Sequence, residues 1–127
     1  YAQVLEEDLA GRDGHRYAQR IVSAGRHLLG LISELLDIAR IEAGRLDLAT
    51  EAVNMPTVLG EAVALVQPNA DARGVSIAVH ADAATVEADP QRLRQVLVNL
   101  LSNAIKFNRE QGRVDVVSQV ADGRVRI

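Results

Sequence analysis

The sequence predicts an α+β chain, a long helical hairpin followed by helices laid on one face of a sheet. Two observations carry this. Apolar residues recur every seven positions between Ile21 and Ile38, and short alternating apolar runs broken by Gly, Pro and Asp occupy the chain from Leu46 onward. The change of pattern divides the chain into residues 1–45 and 46–127.

Tyr1–Leu9 reads as the end of a helix, and Gly11-Arg12-Asp13-Gly14 as a turn whose glycines can take positive φ. A long helix is expected from His15 to Ala43. Within it Ile21, Leu28 and Leu35, with Ala24, Leu31 and Ile38, form an a/d seam of about three heptads that ends at Glu42 and Arg45. A hairpin with one apolar stripe cannot bury it alone, so two hairpins make a four-helix bundle. Packing within one chain is the competing reading, but a seven-residue period favours a homodimer. Gly44 is placed to cap the helix.

Leu46, Leu48 and Val53 alternate as a short strand. Pro56 suits the first turn of a helix from Met55 to Ala72, which Pro68 should kink or end. Val75, Ile77 and Val79 read as a strand with Thr85–Glu87 as its short partner. Asp89 and Pro90 then open a helix as N-cap and first-turn residue. After Gly112, Val114, Val116 and Ser118 form a strand, Ala121-Asp122-Gly123 a hairpin turn, and Val125 and Ile127 the return strand.

Composition narrows the function. The chain is 48% hydrophobic with one Phe, two Tyr and no Trp, so its core must be aliphatic. A net charge of −3, no basic tract and hardly any aromatic residues argue against nucleic-acid binding. The absence of cysteine fits a reducing, cytoplasmic compartment and excludes disulfides and thiol nucleophiles within these residues. No apolar run approaches the roughly 18 residues of a membrane span, and an inner-membrane anchor upstream in a longer parent stays open. Both ends of the sequence read as interrupted elements, so the chain is expected to be part of a longer protein.

The most informative stretch is Leu97–Phe107, LVNLLSNAIKF. At about 100° per residue, Asn99, Asn103 and Lys106 fall within roughly 60° of one another on a helix, away from Leu93, Leu97, Leu100, Leu101 and Ala104. Two amides and an ammonium so aligned suit a phosphate–metal group, because carbonyl oxygens ligate Mg²⁺ and lysine neutralises phosphate. A solvated polar face is the plainer reading of those residues alone. Arg92 and Gln95 lie along the same stripe and could reach phosphate, with solvated surface the plainer reading.

Ala88–Asn108, ADPQRLRQVLVNLLSNAIKFN, resembles the N box of sensor histidine kinases, in their Bergerat-type (HATPase) ATP-binding domain. Leu28–Leu48, LLGLISELLDIARIEAGRLDL, resembles the second helix of the same family's dimerisation and histidine-phosphotransfer domain. The two segments stand in the family's order, and the likeness covers nearly the whole chain. It implies residues 1–45 as an N-terminally truncated hairpin, half of a dimeric four-helix bundle, and residues 46–127 as a C-terminally truncated, partial Bergerat-type α/β sandwich.

By this resemblance, Asn103 would coordinate Mg²⁺ and bridge it to the phosphates of ATP, Asn99 would assist the metal or its waters, Lys106 would contact phosphate, and Phe107 would pack near the nucleoside. A core role for Phe107 is the alternative. Related ATPases such as gyrase carry Glu where Asn99 stands, as a general base for water; an amide cannot take that proton near neutral pH. Phosphoryl transfer to a side chain is therefore favoured over hydrolysis. The family usually has Thr or Tyr where Asn108 stands.

None of His15, His27 and His80 matches the family's phosphoacceptor pattern, which would lie about a dozen residues before Tyr1, and no glycine box follows Lys106. The resemblance thus implies a parent kinase that phosphorylates an upstream histidine with Mg-ATP and passes the phosphoryl group to an aspartate on a response regulator receiver domain. That regulator is expected to dock near Tyr1–Leu9 and His15–Arg26. The 127 residues alone are expected to bind ATP weakly or not at all and to be inactive. A degenerate dimeric scaffold and another Bergerat-type ATPase are the alternatives.

Overall fold

The computed structural model describes residues 11–127, which divide after Asp47 into two compact units. The helix expected over Tyr1–Leu9 lies outside the described residues, so the hairpin is represented by its second helix.

That helix, α1, runs Arg12–Glu42. It starts three residues earlier than the sequence suggests. Gly11 is extended, and its carbonyl accepts from the amides of Gly14 and His15 at 3.1 and 3.4 Å, so Arg12-Asp13-Gly14 form the first helical turn and not a loop. Asp13 in that turn complements the positive end of the helix dipole. At the other end Gly44, at φ +65°, lets the Arg45 amide reach the Arg40 carbonyl at 2.8 Å, a Schellman closure. The heptad residues Ile21, Leu28 and Leu35 are 70%, 58% and 65% exposed. Among the described residues of this unit the apolar seam is exposed.

The second unit follows the order β1 (Glu51–Asn54), α2 (Met55–Ala72), β2 (Ser76–Ala81), β3 (Thr85–Ala88), α3 (Pro90–Lys106), β4 (Arg113–Ala121) and β5 (Arg124–Arg126). Asn54 caps α2, its side-chain oxygen accepting from the Thr57 amide at 3.0 Å. Pro68 does not end that helix as an isolated turn would suggest, for α2 continues to Ala72. The buried Val66 and Ala70 on either side of it hold the helix to the core, while Pro68 and Ala64, whose carbonyl loses a partner, face water.

The strand pairing corrects a second expectation. Thr85–Ala88 does not pair with β2; it lies antiparallel to β1, with Val53 opposite Val86. β2 instead pairs in parallel with β4, Val79 opposite Val116, and β4 with β5 antiparallel, giving the order β2-β4-β5. Asp82 explains the divergence. Its amide donates to the Ser118 carbonyl and its carboxylate accepts from the Val120 amide, both at 3.1 Å, fastening the end of β2 to β4 before the chain turns towards β1. Leu46 and Leu48 precede the first strand rather than joining it, because the β1–β3 ladder ends at Glu51–Ala88, where Asp89 begins a helix. The β4–β5 turn is as expected, Asp122 and Gly123 both holding positive φ, which suits a two-residue hairpin.

The core is aliphatic. Met55, Leu59 and Val66 from α2 meet Leu97, Leu101 and Ile105 from α3, with Val116 from β4 beneath. Leu100 and Ala104, expected on the packing side of α3, are exposed instead, Leu100 to 60%. The buried face centres on Leu97, Leu101 and Ile105, which puts Leu100 beyond its edge.

Candidate functional site

The site is one face of α3, and the helix is fixed at both ends. At the start Asp89 is the N-cap, its carboxylate accepting from the amides of Gln91 at 3.0 Å and Arg92 at 3.2 Å. Its second oxygen accepts from the Ala49 amide at 3.1 Å, tying the helix start to the chain before β1. The Arg92 amide bond above all, helped by those from Ala49 and Gln91 and by the Arg92 charge, holds the Asp89 carboxyl below its ordinary 3.8, against a smaller opposing effect of desolvation. Pro90 supplies a first-turn φ and no amide that would lack a partner.

At the far end Arg73, the residue that closes α2, donates from Nη1 to the Lys106 carbonyl at 3.0 Å and from Nη2 to the Asn108 carbonyl at 2.7 Å. The first is a last-turn carbonyl that the helix itself leaves without a donor, and the second lies just past the C-cap Phe107. The Asn108 side chain in turn donates to the Arg113 carbonyl at 3.0 Å, joining the helix exit to β4.

Between those ends Asn99, Asn103 and Lys106 are all exposed, at spacings of four and three residues on one helical face. The Lys106 ammonium lies 5.2 Å from the centre of the Phe107 ring. Phe107 itself is 77% exposed, so it is not a core aromatic. Val96 and Leu100, 53% and 60% exposed, border the polar stripe. Arg92 and Gln95 are joined by a hydrogen bond of 3.1 Å from guanidinium to amide oxygen.

The donor set suits a nucleotide-borne cation rather than a resident one. Among the described residues no three His, Cys, Asp or Glu side chains come together in a way that would hold a metal. Two neutral amides supply oxygen ligands without charge, enough to complete the shell of a Mg²⁺ that phosphates already hold. Lys106 adds the countercharge. The sequence pointed to these residues but not to Arg73, for which the available signal was its place just before Gly74 at the end of an amphipathic helix.

No protein-family model matches the chain. Sequence relatives and solved structures do. Over 125 residues the chain is 40% identical to the cell-division control histidine kinase PdhS of Brucella suis, an alignment covering 88% of this chain and 12% of that protein. The chain belongs with the sensor histidine kinases. It is also 38% identical over 125 residues to the non-motile and phage-resistance protein of Caulobacter vibrioides, covering 94% of this chain and 15% of that one. Full-length ShkA, solved in complex with AMPPNP, superposes with a TM-score of 0.76 at 33% identity over 91% of this chain and 25% of its own. The segment thus spans about an eighth of the length of these curated relatives, and its α+β architecture is that of the histidine kinase dimerisation helix and partial HATPase fold.

Proposed function

We propose that the parent protein is a sensor histidine kinase that uses Mg-ATP to phosphorylate a histidine outside these residues and then passes the phosphoryl group to an aspartate of a response regulator. Residues 1–45 are its dimerisation and phosphotransfer hairpin, and residues 46–127 the first part of its ATP-binding domain. The observation that carries the reading is the stripe of Asn99, Asn103 and Lys106, held in the open on a helix clamped at both ends.

In this reading Asn103 ligates Mg²⁺, Asn99 assists that ion or its waters, Lys106 meets phosphate, and Phe107 packs beside the nucleoside. The metal would supply charge neutralisation across the phosphates during in-line transfer. The chain's own part is to orient and to balance charge. No side chain on the stripe takes a proton from water, since an amide stands where a hydrolase needs a carboxylate. The uncovered heptad seam of α1 supports a homodimer, and the response regulator meets the hairpin near His15–Arg26. In this reading the parent's kinase region is cytoplasmic, and the 127 residues by themselves are inactive.

The test is a Mg-ATP titration and a phosphorylation assay on the full-length parent, wild type beside Asn103→Ala. Nucleotide binding and acid-labile histidine phosphorylation in the wild type, both lost in the variant with the dimer intact, are expected. A wild type that dimerises without binding nucleotide would instead be a scaffold. Phosphate release without histidine phosphorylation would make it a Bergerat-type ATPase of another kind.

A further inference from the structure

Lys106 is the last residue of α3, on the turn of a helix that frays most readily. A lysine asked to meet a phosphate from that place needs its backbone held by something else. Within the second unit, Arg73 is the group that does so. We infer that Arg73 positions Lys106, and through it the phosphate contact, an inference that rests on the nucleotide-binding function proposed above.

Arg73 is brought to the helix exit by how α2 ends. Gly74 takes φ +65°, the Val75 amide returns to the Ala70 carbonyl at 2.9 Å, and the chain reverses so that Arg73 faces the end of α3. The Gln111 amide then donates to the Arg73 carbonyl at 3.2 Å, so the segment following α3 grips Arg73 from the other side. The planar guanidinium spans the carbonyls of Lys106 and Asn108 with two donors and so brackets Phe107 between them. Both bonds have a charged donor, and a cation at a helix C-terminus is favoured by the dipole.

The arrangement has a cost, and the cost is informative. The Arg73 Nε is buried with no acceptor, so part of the guanidinium is desolvated without return. A lysine at this position would have no Nε–H to strand, but its compact ammonium lacks the planar fork that spans both carbonyls. The fork geometry fixes two points of the turn from which Lys106 projects, which a single ammonium does not. Arg73 touches no nucleotide in this reading; it acts through Lys106.

The experiment compares Mg-ATP affinity by calorimetry in the full-length parent carrying Arg73→Ala, Arg73→Lys, Lys106→Ala, or Arg73→Ala with Lys106→Ala. Arg73→Ala is expected to weaken binding by roughly tenfold and Arg73→Lys by less, while adding Arg73→Ala to Lys106→Ala weakens it no further. A purely structural role would lower the melting temperature without this non-additivity. Losses that multiply in the double variant, or a folded Arg73→Ala that binds as the wild type does, overturn the inference. If Arg73→Ala does not fold, Arg73→Lys decides it, and wild-type affinity there overturns it as well. A wild type that fails to bind Mg-ATP refutes the proposed function, and the inference falls with it; a wild type that binds without the coupling refutes the inference alone.

Discussion

The helices α1 and α3 are both amphipathic, yet they use their apolar faces differently. In α3 the residues at the centre of the face, Leu97, Leu101 and Ile105, are buried against α2 and the sheet. In α1 the equivalent residues, Ile21, Leu28 and Leu35, lie open. The period of the pattern tells the two apart. Three- and four-residue spacing that drifts around the helix suits a face lying on a layer of the same unit, whereas a strict seven keeps one narrow seam that fits another long helix. One helix is covered by its own unit, and the other has its seam exposed among the described residues.

The largest effects should separate the two helices. Leu101→Ala is expected to destabilise the second unit by about 3 kcal/mol, the usual result of emptying a buried leucine site, seen as a lower melting temperature. Leu28→Ala should leave that transition in place and instead weaken self-association, measured by sedimentation equilibrium in the analytical ultracentrifuge. Loss of stability without loss of association in Leu28→Ala would break the comparison. Next in size is Gly74→Ala. It places a side chain at φ +65° and drives a Cβ against the Gln111 side-chain carboxamide, so it should cost about 1–2 kcal/mol and disturb the exit of α3 more than its start, as hydrogen exchange would show.

The smallest effect belongs to the start of α3. Asp89 titrates lower in the folded chain than its ordinary 3.8, so its charge stabilises the fold above that value and the contribution is lost as the pH falls below it, through the depressed folded value. Asp89→Asn keeps a capping oxygen but not the charge. Its melting temperature should fall slightly below the wild type's at pH 7, and the gap should close under acid below pH 3.8. A gap that persists unchanged in acid would assign the effect to shape and not to charge.

Much of the fold could be read from local chemistry. Asp89-Pro90 opens a helix because an N-cap carboxylate and a proline at its first position satisfy the same exposed backbone, and Asp122-Gly123 turns because both residues tolerate positive φ. What could not be read depends on distant partners. Nothing in Thr85–Ala88 names β1 rather than β2; the choice is made by Asp82, whose bonds to β4 lie far along the chain. Pro68 is a breaker by itself and is overruled by Val66 and Ala70 packing on either side. The stripe was legible because periodicity puts Asn99, Asn103 and Lys106 together, while Arg73 was not, because its partners are backbone carbonyls of a segment more than thirty residues away.

The parallel pairing of β2 with β4 has a consequence for synthesis. Everything between them, the stretch 82–112 with β3 and α3 inside it, must be made before the β2 ladder can close. Closing so long a loop delays the sheet relative to the helices, since the entropy of the loop is lost before the strand contacts return anything. On the ribosome, α2 and α3 can meet while β2 still has no neighbour. The nascent chain therefore carries α3 before it has a sheet to set it on, and Ser76–Ala81 keeps an open edge until β4 has been made.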